Sequence, residues 1–361
     1  MIISGGGTGG HIFPAVAIAN ALKNLAPDTE ILFVGANGRM EMEKVPAAGY
    51  KIIGLDIQGF QRKSIVKNLL LPIKLLMSLI KSVRIIKEFK PDVAVGVGGY
   101  ASGPLLYAAS LLKVPYLIQE QNSYAGITNK NLGKNAKKIC VAFEGMEKFF
   151  PADKILITGN PIRKETVNID GKREAAFEFF NLSREKKTIL VTGGSLGAGT
   201  LNKSMLAGID RIVAQDVQLI WQTGKYYYQS INDQLAGKAH GNIKVLEFLQ
   251  KMDLAYAAAD VIISRAGAGT IAELFVVKKP VILVPSPNVA EDHQTKNTMA
   301  LVKNDAAILV VDDDAELQLV DTALQLLRNE TKCADLSQNI GMMALPDADE
   351  VIAREVLKIA N

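Results

Sequence analysis

Short apolar runs recur along the chain, separated by longer segments in which hydrophobic and polar positions follow helical spacing. In the first half the runs are residues 1–4, 31–34, 93–97, 116–119 and 139–143. In the second half they are 188–192, 217–221, 243–246, 261–264, 281–285 and 307–311. Near-continuous apolar runs of this length predict strands covered on both faces, which is how parallel sheets are built. Their alternation with helices predicts an α/β protein of two Rossmann-like, doubly wound parallel-sheet domains. A glycine, an Asn-Pro turn signal and a following polar segment place the seam at residues 157–163. The expected domains are therefore 1–160 and 161–344, with a last helix at about 345–361 able to pack back on the first.

Both halves repeat one device where the first strand ends. It reads Gly5-Gly6-Gly7-Thr8-Gly9-Gly10 in one and Gly193-Gly194-Ser195-Leu196-Gly197-Ala198-Gly199 in the other. A third glycine-rich strand end is Gly98-Gly99-Tyr100-Ala101-Ser102-Gly103. Ligands of this fold class bind at the carboxyl ends of strands, so two such edges facing one another would form a cleft. Glycines there let the backbone approach an anion, and a helix N-terminus adds unpaired N–H groups with partial positive charge. Pro14, taken as a first helical position, predicts a helix from about residue 13. Residues 5–10 also match G-x-G-x-x-G, but a dinucleotide site wants a carboxylate ending the second strand, and Gly35-Ala36-Asn37 has none. One such loop is explained by turn chemistry alone; three favour phosphate.

The sharper element is Ser264-Arg265-Ala266-Gly267-Ala268-Gly269-Thr270-Ile271-Ala272-Glu273-Leu274. With a helix beginning near Thr270, Glu273 has two readings. It accepts from both hydroxyls of a ribose beside a helix-bound diphosphate, or it closes a Thr270-x-x-Glu273 capping box. Spacing leaves both open. Asp312-Asp313-Asp314 invites a metal reading, yet it follows a strand and precedes a helical pattern, where acids belong at a helix start. No metal ligand set is read from the chain.

Composition narrows the class. The 361 residues suffice for two domains, and a net charge of +4 is too small to argue for nucleic acid. Cys140 and Cys333 stand far apart without metal spacing, which fits a reducing compartment and no disulfide framework. The N-terminus has neither the basic region nor the apolar core of a signal peptide. No uncharged run reaches the roughly 18 to 20 residues that a span needs. Charge is instead local: eight Lys/Arg lie between Arg62 and Lys90 against one acid, Glu88. Lys67, Lys74 and Lys81 fall seven apart among Leu69, Leu70, Leu71, Leu75, Leu76, Leu79 and Ile80. A crossover helix packing Ile73, Leu76, Ile80 and Val83 on a sheet explains part of this; the surplus leucines point to an interfacial role. Lys67, Leu70, Leu71, Lys74, Leu75, Leu79 and Lys81 are the expected membrane-facing set.

The ordered motifs Gly5-Gly6-x-Thr8-Gly9-Gly10-His11, Gln119-Glu120-Gln121-Asn122, Gly159-Asn160-Pro161-Ile162-Arg163, Gly193-Gly194-Ser195-x-Gly197-Ala198 and Ser264-Arg265-Ala266-Gly267-x-x-Thr270-x-x-Glu273 span essentially the whole chain. In this order they resemble the MurG family, peptidoglycan N-acetylglucosaminyltransferases that convert lipid I to lipid II. The resemblance implies the GT-B architecture, two Rossmann-like domains facing across a cleft. It implies a donor site of Arg163, Ser195, Phe248, Leu249, Ala268, Gly269, Thr270, Glu273 and Gln294, with Thr8, Gly9, Gly10 and Asn122 across the cleft. Gly7, Thr8, Gly9, Gly10, Gly98, Gly99 and Tyr100 would meet the acceptor's diphosphate. Leu196 stands where relatives often carry Gln, and Thr298 where Ala is common. For the base, His11 leads, because it titrates near neutrality and sits in the acceptor-side loop; Glu120 is second. The implied partners are UDP-N-acetylglucosamine, lipid I, anionic inner-membrane lipids and cell-wall synthesis proteins, at the cytoplasmic face of the plasma membrane, peripherally. No cofactor is required, a divalent cation having only the accessory role of screening the lipid diphosphate. The competing readings are another UDP-sugar transferase, a UDP-sugar epimerase of the same architecture, or a non-catalytic nucleotide-sugar-binding scaffold.

Overall fold

The computed structural model describes residues 1–59, 70–194, 196–236 and 241–360. Of the residues singled out above, Ser195, Lys67, Leu69 and Arg62 lie outside the described residues. The chain divides into two compact units, Met1–Ile162 with Leu345–Asn361, and Arg163–Ala344.

The first unit holds strands β1 (Ile2–Gly5), β2 (Leu32–Ala36), β3 (Lys51–Leu55), β4 (Ala94–Gly98), β5 (Tyr116–Glu120), β6 (Lys138–Val141) and β7 (Ile155–Ile157). They form one parallel sheet in the order β3-β2-β1-β4-β5-β6-β7. Helices α1 (Gly9–Leu25), α2 (Glu41–Ala47), α3 (Leu71–Phe89), α4 (Ser102–Leu111) and α5 (Ile127–Gly133) connect them. Successive strand residues point to opposite faces, and the core divides accordingly. Ile2, Val34, Ala94, Ile118 and Ile139 pack toward α4, while Ile3, Phe33, Val95, Leu117 and Cys140 pack toward α1.

In the second unit α6 (Lys164–Val167) and α7 (Arg173–Phe180) precede β8 (Thr188–Thr192), α8 (Gly199–Ala214), β9 (Gln218–Gln222), α9 (Lys225–Leu235) and β10 (Ile243–Leu246). Then follow α10 (Met252–Ala258), β11 (Val261–Ser264), α11 (Ala268–Val277), β12 (Val281–Leu283), α12 (His293–Val302), β13 (Ile308–Leu309), α13 (Ala315–Arg328) and α14 (Glu330–Met342). The parallel sheet runs β10-β9-β8-β11-β12-β13. Both sheets thus reverse direction beside their first strand, the Rossmann switch point at which ligands bind. Trp221 is fully buried in this core, its indole N–H donating to Asn202 Oδ1 at 2.9 Å. The last helix, α15 (Ala348–Ala360), returns to the first unit, where Ile352, Ala353 and Val356 join Ile12, Ala15, Ile18 and Leu22 of α1.

The α/β class and the two parallel sheets match the strand pattern, and three local expectations change. Strands β3 and β7 were not among the predicted runs, because both lie at sheet edges and neither is continuously buried. Helix α1 starts at Gly9 rather than near residue 13. The N–H groups of His11 and Ile12 both bond to the Thr8 carbonyl, at 3.1 and 3.2 Å, so the helix begins directly at the glycine turn. Pro14 then lies inside α1, and the lost donor falls opposite the Gly10 carbonyl. Helix α11 starts at Ala268 with Gly267 as its N-cap, two residues ahead of Thr270.

Candidate functional site

In the first unit the strand ends of β1, β4 and β5 gather most of the predicted acceptor-side residues. Gly7 takes φ +85°, and the turn ends at Thr8, the extended N-cap of α1. Gly9 and Gly10 open the helix, where first-turn N–H groups have no intrahelical acceptor. Gly7 does not join them as a phosphate donor: its N–H is taken by Glu41 Oε2 at 2.9 Å. The other oxygen of Glu41 accepts from Ala36 N–H at 3.0 Å, and the carboxylate is only 1% exposed. A carboxylate thus does follow β2, five residues on, but it is turned under the glycine loop onto backbone N–H groups.

His11 lies across this loop, its Nδ1 3.0 Å from the Gly6 carbonyl. A methyl group on Gly98 would come within 2.8 Å of His11 Nε2, and one on Gly99 within 2.4 Å of the Gly6 oxygen. Both glycines adopt positive φ, +107° and +92°. The steric demand at Gly98 and Gly99 thus comes from His11 and the first loop. The Tyr100 ring is half exposed beside Gly7 and Gly59, with the Arg39 guanidinium 5.8 Å from its centroid.

Glu120, the second candidate base, is buried and serves its own loop. Oε1 accepts from the Asn122 N–H at 3.2 Å, and Oε2 from Gly126 N–H at 3.1 Å and Asn129 Nδ2 at 2.8 Å. Both oxygens are held by donors, so Glu120 fixes the Asn122 loop whatever else it does. Gln119 Nε2 donates to Asn160 Oδ1 at 2.8 Å, and Asn160 Nδ2 to the Gln121 carbonyl at 3.0 Å. Those bonds tie the Gln-Glu-Gln-Asn motif to the Gly-Asn-Pro segment.

In the second unit Ala268, Gly269 and Thr270 form the first turn of α11. With Gly267 as N-cap, Thr270-x-x-Glu273 is no capping box, and the Glu273 carboxylate is turned on other groups. Oε2 accepts from the Tyr256 hydroxyl at 3.0 Å, and Oε1 lies 3.7 Å from Arg163 Nη2 and 3.4 Å from Thr166 Oγ1. The single Thr166 proton favours the Arg163 carbonyl, at 2.8 Å, so Oε1 keeps acceptor capacity. Burial raises the Glu273 pKa, opposed first by Arg163 and then by the Tyr256 and Thr166 hydrogen bonds. The Tyr256 hydroxyl is pushed well above its usual value by burial and by the adjacent Glu273. Tyr256 was not singled out from sequence, and nothing in its apolar surroundings marks it.

The remaining donor-side residues take distinct roles. Gln294 Oε1 accepts from Ser286 N–H at 2.8 Å, which leaves its amide NH₂ as the group to offer a ligand. Beyond β10, Phe248 is 56% exposed whereas Leu249 is buried. Gly197, at φ +77°, lets its loop approach Thr223, where a methyl would lie 1.9 Å from the carbonyl. Leu196 is exposed beside it, and Thr298 is buried with its hydroxyl on the Gln294 carbonyl at 2.9 Å. Asp312 pairs with Arg265 and accepts from Thr200 Oγ1 at 3.0 Å, which gives this acid a structural partner.

Helix α3 departs from expectation. Its buried positions are Ser78, Ser82, Ile85 and Ile86, with Leu79 and Val83 packed against the core. Ile73, Leu76 and Ile80, expected on the sheet, are exposed by 50–59%, as are Leu70, Leu75 and Met77. Two serines on the inner face let the helix lie close, which turns the large side chains outward. Leu79 thus leaves the membrane-facing set, and Lys81 donates to the Gly54 carbonyl at 2.7 Å. Leu71 and Lys74 are partly buried. Among the described residues, no helix is long and apolar enough to cross a membrane.

Residues 1–141 match the glycosyltransferase family 28 N-terminal domain and residues 188–352 the family 28 C-terminal domain. A Parabacteroides distasonis protein is 57% identical over 361 residues, covering 100% of this chain and 98% of its own. A Bacteroides fragilis protein is 58% identical over 365 residues, covering 100% and 96%. Both are named UDP-N-acetylglucosamine–N-acetylmuramyl-(pentapeptide) pyrophosphoryl-undecaprenol N-acetylglucosamine transferase. The crystal structure of Acinetobacter baumannii MurG superposes with a TM-score of 0.82 at 29% identity, covering 99% of each chain.

Proposed function

The chain belongs to the MurG family of glycosyltransferases, and from that premise we propose how its residues divide the reaction. The enzyme transfers N-acetylglucosamine from UDP-N-acetylglucosamine to lipid I, giving lipid II. The observation that carries the substrates is identity above half, over the entire chain, to enzymes named for this transfer.

The second unit takes the donor. Glu273 accepts hydrogen bonds from the ribose hydroxyls, and the first turn of α11 receives the diphosphate. Phe248 and the backbone at Leu249 meet the uracil, and the Gln294 amide donates to the sugar. In the first unit, the start of α1 at Thr8, Gly9 and Gly10 holds the acceptor's diphosphate. The muramyl 4-hydroxyl oxygen bonds to the anomeric carbon with inversion, and its proton passes to His11 Nε2. The bond from the anomeric carbon to the β-phosphate oxygen breaks, and UDP leaves with the electron pair. Helix N-termini and Arg163 stabilise that developing charge, so the reaction as read needs no resident cofactor. A divalent cation would act on the lipid diphosphate. The exposed face of α3 rests on the cytoplasmic leaflet that carries the acceptor, beside anionic headgroups; cell-wall synthesis proteins are further partners on that surface.

The test is transfer of labelled N-acetylglucosamine to lipid I in vesicles. His11→Ala is expected to lower turnover at least about a hundredfold, the low end for losing acid–base catalysis. A folded variant with near-normal turnover would remove His11 from the mechanism. Absence of transfer by the wild type, despite tight donor binding, would return the epimerase and scaffold readings.

A further inference from the structure

We infer that Glu41 is a positioning residue for His11, acting through the peptide group between Gly6 and Gly7. This deepens the assignment of His11 as base and rests on it. The two ends of that one peptide are both engaged. Its carbonyl, on Gly6, lies 3.0 Å from His11 Nδ1, and its N–H, on Gly7, donates to Glu41 Oε2 at 2.9 Å. A carbonyl has no proton to give, so Nδ1 is the donor and the imidazole lone pair lies on Nε2. A carboxylate drawing on the N–H end pushes electron density onto the oxygen, because hydrogen bonds in a chain polarise one another. Glu41 therefore strengthens the bond that fixes the tautomer. A carboxylate bound directly to Nδ1–H does the same for a catalytic histidine; here a peptide is interposed.

The surroundings are built for that carboxylate. A methyl on Gly6 would lie 2.2 Å from Glu41 Oε1, and one on Gly35 would lie 2.6 Å from Glu41 Cγ. Gly6, just past the end of β1, and Gly35 of β2 thus make its room, and on the far side Gly98 and Gly99 close on His11 and the Gly6 carbonyl. Both Glu41 oxygens accept backbone N–H groups, and no cation pairs with it among the described residues. Holding a carboxylate at 1% exposure without a cation is costly. An apolar side chain would fill the space but strand the Gly7 and Ala36 N–H groups, so it is those two donors that call for the carboxylate.

The experiment compares wild type with Glu41→Gln, which keeps the volume but can accept only one of the two N–H groups. The first readout is the tautomer of His11 by long-range ¹H–¹⁵N correlation, assigned by the signal lost in His11→Gln among the chain's three histidines. The second is steady-state transfer to lipid I. The wild type is expected to show the Nδ1-protonated form. Glu41→Gln is expected to show a mixture and to lose at least about tenfold in kcat, the low end of the loss on removing the outer partner of a metal-bound histidine. Its KM for UDP-N-acetylglucosamine is expected to stay within about twofold. In a His11→Ala background, Glu41→Gln should cost nothing further in kcat. An unchanged tautomer in Glu41→Gln, or an equal loss in both backgrounds, would overturn the proposal. Glu41→Asp, whose shorter arm cannot reach both N–H groups, is the second variant should Glu41→Gln not fold, with the same expected and overturning results. Failure of His11 as base shows separately, as turnover retained in His11→Ala, since the tautomer signal does not depend on activity.

Discussion

At the scale of single residues, Glu273 is governed by burial opposed by its neighbours. Burial raises its pKa above the ordinary 4.5, with Arg163, Tyr256 and Thr166 pulling the other way. A raised folded-state value favours the protonated form in the native protein. The resulting stability is fully present below the ordinary pKa and is lost as pH rises through the folded one. Glu273→Gln cannot ionise, so it should gain on the ligand-free wild type as pH rises above 4.5 and level off once the native carboxyl is charged. Denaturation of both proteins across that range measures the difference; a difference independent of pH would mean that burial does not dominate. Sequence revealed where Glu273 sits but not what it faces, since a ribose ligand and a capping box share one spacing. Its partner Thr166 comes from 107 residues away and Tyr256 from the preceding helix, 17 residues back. Glu41 was less legible still, because it opens α2 among charged residues and only the fold turns it under the glycine loop.

At the scale of elements, α3 shows why an amphipathic pattern can be assigned to the wrong face. Its outer side carries the larger apolar residues, and its inner side holds Ser78 and Ser82, with the Ser82 hydroxyl bonded to the Ser78 carbonyl at 2.8 Å. Counting leucines places Leu70 and Leu75 outward and Val83 inward as found, but misplaces Ile73, Leu76, Leu79 and Ile80, which only packing against the sheet corrects. Replacing Ile73 and Ile80 by Glu should therefore leave folding intact, as both are at least half exposed. The double variant is expected to lose at least about tenfold in affinity for anionic vesicles, through lost apolar burial and added negative charge. Co-sedimentation measures this, and unaltered binding would detach α3 from the membrane reading. The central strands were legible because burial on both faces leaves a continuous apolar run. The edge strands β3 and β7 were not, because an edge needs less burial.

At the scale of the whole chain, the second unit is an uninterrupted segment while the first is closed by residues from both ends. Ile352 and Val356 of α15 are fully buried, each side chain contributing about 1.5–3 kcal/mol. That is a large share of the roughly 5–15 kcal/mol by which a domain is stable. Truncation after Ala344 should accordingly loosen the first unit and spare the second. One cysteine reports on each. Cys140 lies in the first unit's core, where burial pushes its thiol up to about 12, while Cys333 belongs to the second. Faster labelling of Cys140 alone is the expected outcome; a protected Cys140 in the truncated chain would show that α15 is dispensable.

The return of α15 also orders events at the ribosome. Residues 163–344 are translated in full before the last helix exists, and domains generally fold as units during synthesis. The sheet that carries the His11 loop must wait with the face beside α1 incompletely covered until Val356 has left the exit tunnel. In that interval the nascent first unit is a natural client for chaperones, and slow emergence of α15 would lengthen its exposure.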